Sequence, residues 1–354
     1  MTAIASFDIA RPAMSRARSV GIVLGLLLLA SILSNLRFGA VPLNNADMLA
    51  ALGLADGDDG AVMVMREIRL PRLLAAIAVG ASLALAGCAL QALFRNPLAE
   101  PGLLGVSTGA ALGASVWFLF GAAILAPFAS PASLAPFMLP LLSFLGALLA
   151  VGLVLGLGRR SGPAATILML LMGIGVNAMG GALIGLATYM STDTQLRALS
   201  VWLLGSFAQT EWAVLLPSLA LMAAASIGLL RTHRALDLMA LGEAPARHLG
   251  IDTDLLRRNL GLLTAIAVGA SVALAGIIGF VGLLVPHMVR LAVGPGHRTL
   301  LPLSALAGAV ALSVADLVAR LVALPAEVPV GVVMALVGAP AFIWMLLANW
   351  RRLT

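Results

Sequence analysis

Lysine is absent from this 354-residue chain, in which all 21 basic residues are arginine. A Walker-type phosphate loop needs a lysine to reach the nucleotide phosphates, and Schiff-base chemistry needs a lysine amine. Both are therefore excluded. Cysteine is nearly absent as well. Cys88 alone supports neither a disulfide framework nor a cysteine metal site, and its place within an apolar run suits helix packing. Charged residues make up only 10% of the chain, which rules out an extended solvated surface.

What fills the chain is apolar. Hydrophobic residues reach 61% and the mean hydropathy is +1.08, a composition suited to lipid rather than water. Long uncharged runs cover Ser19–Leu36, Leu73–Phe94, Pro101–Gly158, Ser161–Thr192, Trp212–Leu230, Asn259–Val289 and Val328–Trp350. Each meets the requirement of about 20 residues for a bilayer crossing. The start, Arg11–Arg18 before an apolar run, lacks a convincing A-x-A cleavage site and is expected to be an uncleaved first helix.

As one helix Pro101–Gly158 would be about 87 Å long, nearly three bilayer cores, so it is expected to be two spans broken at Pro127, Pro131, Pro136 and Pro140. Hydropathy then predicts helices near 19–36, 73–93, 103–126, 137–157, 164–189, 212–230, 260–280, 299–322 and 328–348. Val281–Val293 is ambiguous, and arginine placement decides it. With ten crossings 15 arginines face the cytoplasm and 6 face out; with nine the division is 12 against 9. Ten crossings are favoured, with both termini cytoplasmic.

An offset of 189 residues superimposes Leu73–Gly87 on Leu262–Gly276 with 13 of 15 positions identical, and Pro97 on Pro286. An odd number of crossings separates the copies, so they run in opposite directions. Inverted repeats of this kind recur in transporters. The first half spans about 66–190 and the second about 260–350, within a single transmembrane domain, 1–354. Between them Arg231–Asn259 packs 9 of the 36 charges into 29 residues. Its pattern predicts a short helix ending near Gly242, another over Glu243–Leu249 ending at Gly250, and Asp252 capping the next. A charged, folded loop at a membrane surface suits docking of a partner.

Several ordered motifs resemble the FecCD family of permeases: Arg69–Arg72, Gln91–Ser107, Leu241–Glu243 with His248–Gly250, Pro286–Arg290, Glu327–Gly331 and Gly338–Pro340. The resemblance runs from about Arg66 to Trp350. It implies an all-α polytopic membrane protein of about ten transmembrane helices, working as a homodimer in a type II ABC importer of iron-siderophores, haem or vitamin B12. Implied partners are two copies of a cytoplasmic ATPase, which carry ATP and magnesium, and a periplasmic binding protein. No cofactor and no metal are expected on this chain.

The resemblance also implies residue roles. Leu241, Gly242, Glu243, Arg247, Leu249 and Gly250 would form the loop that couples to the ATPase. Arg69, Arg72 and Arg320, which lie outside against the positive-inside trend, would meet glutamates of the binding protein, as planar guanidiniums suit carboxylates. Asn96 and Leu98 would form the cytoplasmic gate, although Asn96 before Pro97 also suits a cap. The opposing gate residue is expected within Ser161–Thr166. Asn177, Met169, Met172, Met179, Tyr189, Met190 and Gln195 are candidates for the path.

Other classes fit less well. An ion-coupled secondary transporter would explain the repeat, but it needs carboxylates at membrane depth, and Asp316 and Glu327 are expected near helix ends. No nucleophile, metal cluster or acid–base pair points to an enzyme. The sequence pI of about 11.2 comes from arginines scattered along loops, so nucleic acid is not a partner. Among cargoes the overall likeness leans to haem, then ferric siderophore, then cobalamin.

Overall fold

The computed structural model describes residues 10–39, 41, 43–51, 53, 58–128, 131–157 and 165–350. All regular elements among the described residues are helical. In chain order they are α1 Ala10–Arg37, α2 Asn45–Ala51, α3 Asp59–Met63, a wide π-helical turn Val64–Arg69, α4 Leu70–Leu93, a 3-10 turn Pro101–Leu104, α5 Val106–Leu125, α6 Pro131–Leu157, α7 Ala165–Met190 and α8 Asp193–Leu203. Then come α9 Trp212–Arg231, α10 His233–Ala240, α11 Glu243–His248, α12 Thr253–Ala275, α13 Val281–Val293, α14 His297–Leu321 and α15 Val330–Trp350. Among the described residues eight helices are long and apolar enough to cross a bilayer, and Val281–Val293 and Val330–Met345 are shorter apolar helices.

Inter-helix contacts give the relative directions of α1, α4, α9, α12 and α14. Arg72 meets Asp316 and Gly80 meets Gly308, so α4 and α14 are antiparallel. Ser31 meets Ser313 while Gly21 faces Leu303, which makes α1 parallel to α14. The Trp212 indole donates to the Arg66 carbonyl, so α9 starts at the same face as α4. Gly228 against Leu263 and Met222 against Ser271 then set α12 antiparallel to α9. The two copies of the repeat, in α4 and α12, therefore run in opposite directions.

The near-identical segments diverge at their ends. After Gly87 the chain continues with Cys-Ala-Leu-Gln-Ala-Leu and stays helical to Leu93. After Ala275 comes Gly-Ile-Ile-Gly-Phe, in which β-branched residues and glycines disfavour helix. Gly276 takes φ 71°, ψ −166°, and a Cβ there would lie 2.2 Å from the Trp202 carbonyl oxygen. The expected span 260–280 is corrected to Thr253–Ala275, beginning early because Asp252 caps the Asp254 and Leu255 amides. The break at 276–280 is packed against protein backbone: a Cβ on Gly276 would lie 2.2 Å from the Trp202 carbonyl oxygen, and one on Gly205 would lie 2.4 Å from that of Ile277.

Other boundaries also shift. Pro136 and Pro140 lie inside α6, which starts at Pro131 instead of after the proline cluster. The first amides of a helix have no intrahelical partner, so an opening proline costs little. Hydropathy gives no sign of α2, α3 and α8. The last is marked by a Thr192/Gln195 capping box, which uses the Gln195 side chain locally. At the crossing of α4 and α14 the backbones touch: a Cβ on Gly80 would lie 2.2 Å from the Gly308 carbonyl oxygen. Only glycine permits that approach, and it suits helix packing in lipid, where small residues replace the hydrophobic drive.

Candidate functional site

At the face where α4 and α9 end, α10, α11 and the start of α12 form a compact unit. Gly242 joins the first two at φ 116°, a conformation open to glycine. Glu243 holds the unit together. Its carboxylate accepts from Arg247 Nη2 at 2.8 Å and Arg257 Nη2 at 2.9 Å, while Arg257 Nη1 donates to Asp254 at 2.7 Å. Arg247 Nε also donates to Thr253 Oγ1. Glu243 and Arg247 are thus spent on holding α11 to α12. The outward elements are Leu241 and Leu249, 64% and 58% exposed, with Gly250 closing the turn at φ 88°. Asp237 ties α10 to α14, accepting from the His297 amide at 2.8 Å with His297 Nδ1 at 2.7 Å.

The loop after α4 reaches the same unit. A Cβ on Gly242 would lie 3.8 Å from Arg95 Nη1, and Arg95 itself has φ 48°, rare for a residue with a side chain. Asn96 Oδ1 accepts from the Leu98 amide at 2.9 Å, a local turn that orients the loop, while Leu98 is exposed. Of Ser161–Thr166, where the opposing gate residue was expected, 161–164 lie outside the described residues, as do Arg159, Arg160, Arg351 and Arg352, and Ala165 and Thr166 open α7.

At the other face lie the three arginines expected to meet the binding protein. Arg69, Arg72 and Arg320 are buried, only 5 to 6% exposed, and bonded within the chain. Arg72 donates to both Asp316 oxygens at 3.0 Å and to Glu327 at 2.7 Å. Arg320 Nε lies 3.3 Å from Asp316 and its guanidinium also bonds Asn35 and the Phe38 carbonyl. Arg69 donates to the Leu36 and Val41 carbonyls. A buried cation needs its partners, and here Asp316, Glu327, Asn35 and backbone carbonyls supply them. The signal for this lay in Asp316 and Arg320, four residues apart on one helix, but only the fold brings them to Arg72.

Sequence reasoning also missed Glu100. It lines a cavity of about 320 Å³ with Ser107, Thr108, Asn177 and the 277–280 segment. Asn177, one of the proposed path residues, is used there: its amide donates to Gly102 O at 2.9 Å and accepts from Thr108 at 2.6 Å. Burial holds the Glu100 carboxyl above its ordinary range. Of the remaining path candidates, Met169 is buried in the core, whereas Met179, Tyr189 and Met190 are exposed.

Comparison with known proteins gives this geometry a context. A 46% identity over 283 residues links the chain to the vitamin B12 import permease BtuC of Vibrio cholerae, covering 80% of this chain and 82% of that one. The hemin transport permease HmuU of Yersinia pestis is 44% identical over 281 residues, covering 79% and 82%. A solved metal-chelate type ABC transporter in an inward-facing conformation superimposes with TM-score 0.79 and 33% identity, covering 91% of this chain and 96% of that one. The model of the FecCD transport family matches residues 26–348, so the chain belongs to that family and is a multi-pass membrane protein.

Proposed function

We propose that this chain is the permease subunit of a binding-protein-dependent importer that moves haem, or another iron-containing chelate, across the bacterial inner membrane from periplasm to cytoplasm. It works as a homodimer with both termini cytoplasmic. Two copies of a separate ATPase bind ATP and magnesium, and a periplasmic protein delivers the cargo. The observation that carries the reading is the family match over nearly the whole chain together with the folded α10–α11 unit at one face.

In this reading Leu241 and Leu249 enter a cleft of the ATPase, Gly242 and Gly250 set the turns, and Glu243 with Arg247 keeps the unit rigid. Motion of the unit reaches Asn96 and Leu98 through the neighbouring Arg95. The arginine cluster at the opposite face clamps α1, α4 and α14 together. Near-equal identity to permeases named for hemin and for vitamin B12 supports a metal macrocycle as the cargo class.

The test is ATP-dependent uptake into proteoliposomes holding the chain with its ATPase and binding protein, with haem, a ferric siderophore and cobalamin offered in parallel. Haem uptake is expected. Transport of another cargo alone would move the assignment within the family, and uptake driven by an ion gradient without ATP would overturn it.

A further inference from the structure

The two breaks that succeed the repeated segments meet in space. Residues 94–105 leave the end of α4 and fold back along it: a Cβ on Gly282 would lie 3.0 Å from Pro101 Cδ and 3.0 Å from the Leu83 carbonyl. Leu83 is ten residues before the end of α4, so the loop has returned on the order of 10 Å into the depth of the helices. The other break, 276–280, approaches from the second half. Between them lies the cavity of about 320 Å³.

Its wall is mixed. Val272 and Phe280 are among its apolar lining residues, and Glu100, Ser107, Thr108 and Asn177 are its polar ones. Asn177 and Thr108 already bond each other, and Asn177 also bonds Gly102. Glu100 and Ser107 have no side-chain partner among the described residues, and no other residue of the wall is ionisable. A half-buried carboxylate without a counter-charge is costly, and an ionisable group at this depth between broken helices points to a ligand.

Size and chemistry narrow the ligand. The volume is at the lower end for small-molecule sites and below what a metal macrocycle needs, so the cargo does not sit here. It equals roughly ten waters, more than a bare monovalent ion fills. A charged head beside a short carbon chain uses both kinds of lining residue.

We propose that this cavity binds a small organic cation of the alkylammonium class, its head donating to the Glu100 carboxylate and the Ser107 hydroxyl and its carbons packed on Val272 and Phe280. The site is independent of the transport reading.

The experiment is equilibrium dialysis of radiolabelled n-butylammonium against the full chain in phosphatidylcholine nanodiscs, with empty nanodiscs and equal ionic strength of sodium chloride as controls. Saturable binding near one per chain is expected, reduced at least tenfold in Glu100→Gln and in the cavity-filling Val272→Trp, and undiminished by excess butan-1-ol. Binding no greater than to empty nanodiscs would overturn the proposal. So would displacement by sodium alone, competition by the neutral alcohol, or full binding by Val272→Trp, a variant that keeps the question decidable if Glu100→Gln does not fold.

Discussion

The amide of Gln91 donates to the Leu283 carbonyl at 3.0 Å and leans toward that of Gly282 at 3.4 Å. Pro286 lies inside α13 and has no N–H, which frees the Gly282 carbonyl four residues before it. Gln91, fully buried at the end of α4, fills the gap left by a proline on another helix. The pairing joins a residue of the first half to one of the second.

Gln91→Leu should therefore lower stability by about 1 to 3 kcal/mol, the cost of buried carbonyls without donors. Pro286→Ala restores the missing N–H, so the same change in that background should cost clearly less. Thermal unfolding of the four proteins in detergent forms the cycle. Equal costs in both backgrounds would show that Gln91 does not compensate for the proline.

The arginine cluster makes a second prediction. Asp316 holds two guanidiniums, so Asp316→Asn leaves charges buried without their partner and should cost roughly 3 to 5 kcal/mol. Glu327→Gln should cost less, since Glu327 is partly exposed. Replacing Arg72 and Asp316 together by Met and Leu should recover much of the loss. A double variant as unstable as the sum of the singles would mean that the two do not act as a pair.

How much of this was legible in the residues differs by element. Hydropathy located the long apolar spans, because bilayer thickness imposes a minimum run on each, and Val281–Val293, shorter than that run, was ambiguous for the same reason. The 231–259 loop was legible in detail, because Gly242, Gly250 and Asp252 are local stop and start signals, and the structure has α10, α11 and α12 where those signals put them. The ends of the repeat were not legible. Leu73–Gly87 and Leu262–Gly276 are nearly identical, and it takes the Ile-Ile-Gly-Phe that follows, together with the packing of Gly276 against Trp202, to end one and not the other. Burial of the arginines depended on Asp316, Glu327 and Asn35, distant in sequence from Arg72. Nothing local to Glu100 shows in sequence that its loop folds back along α4.

At the α10–α11 face two kinds of residue should behave differently. Leu241→Asp and Leu249→Asp remove exposed apolar groups with no internal partners, so the fold should survive within about 0.5 kcal/mol. Affinity for the ATPase subunit, measured by co-purification or interferometry, should drop at least tenfold. Glu243→Gln instead loosens α11 from α12, and should reduce coupling of ATP hydrolysis to uptake more than it reduces ATPase binding. Unchanged ATPase affinity in both leucine variants would move the docking surface elsewhere.

Glu100 gives stability a pH dependence whose sign is fixed. Its folded carboxyl titrates above the ordinary range because burial disfavours the charged form, and no other ionisable side chain lines its cavity. Between the ordinary glutamate value, about 4.3, and the raised one, the folded chain holds a proton that the unfolded chain has released. Its contribution is therefore complete below the ordinary value and is lost as pH rises through the raised one. Melting temperatures of the wild type and Glu100→Gln from about pH 4 to about pH 8 should diverge, with the wild type falling relative to the variant. Butylammonium should flatten the wild-type slope, since a cation in the cavity favours the charged carboxylate. Parallel curves for the two proteins would show that Glu100 is solvated at all pH values.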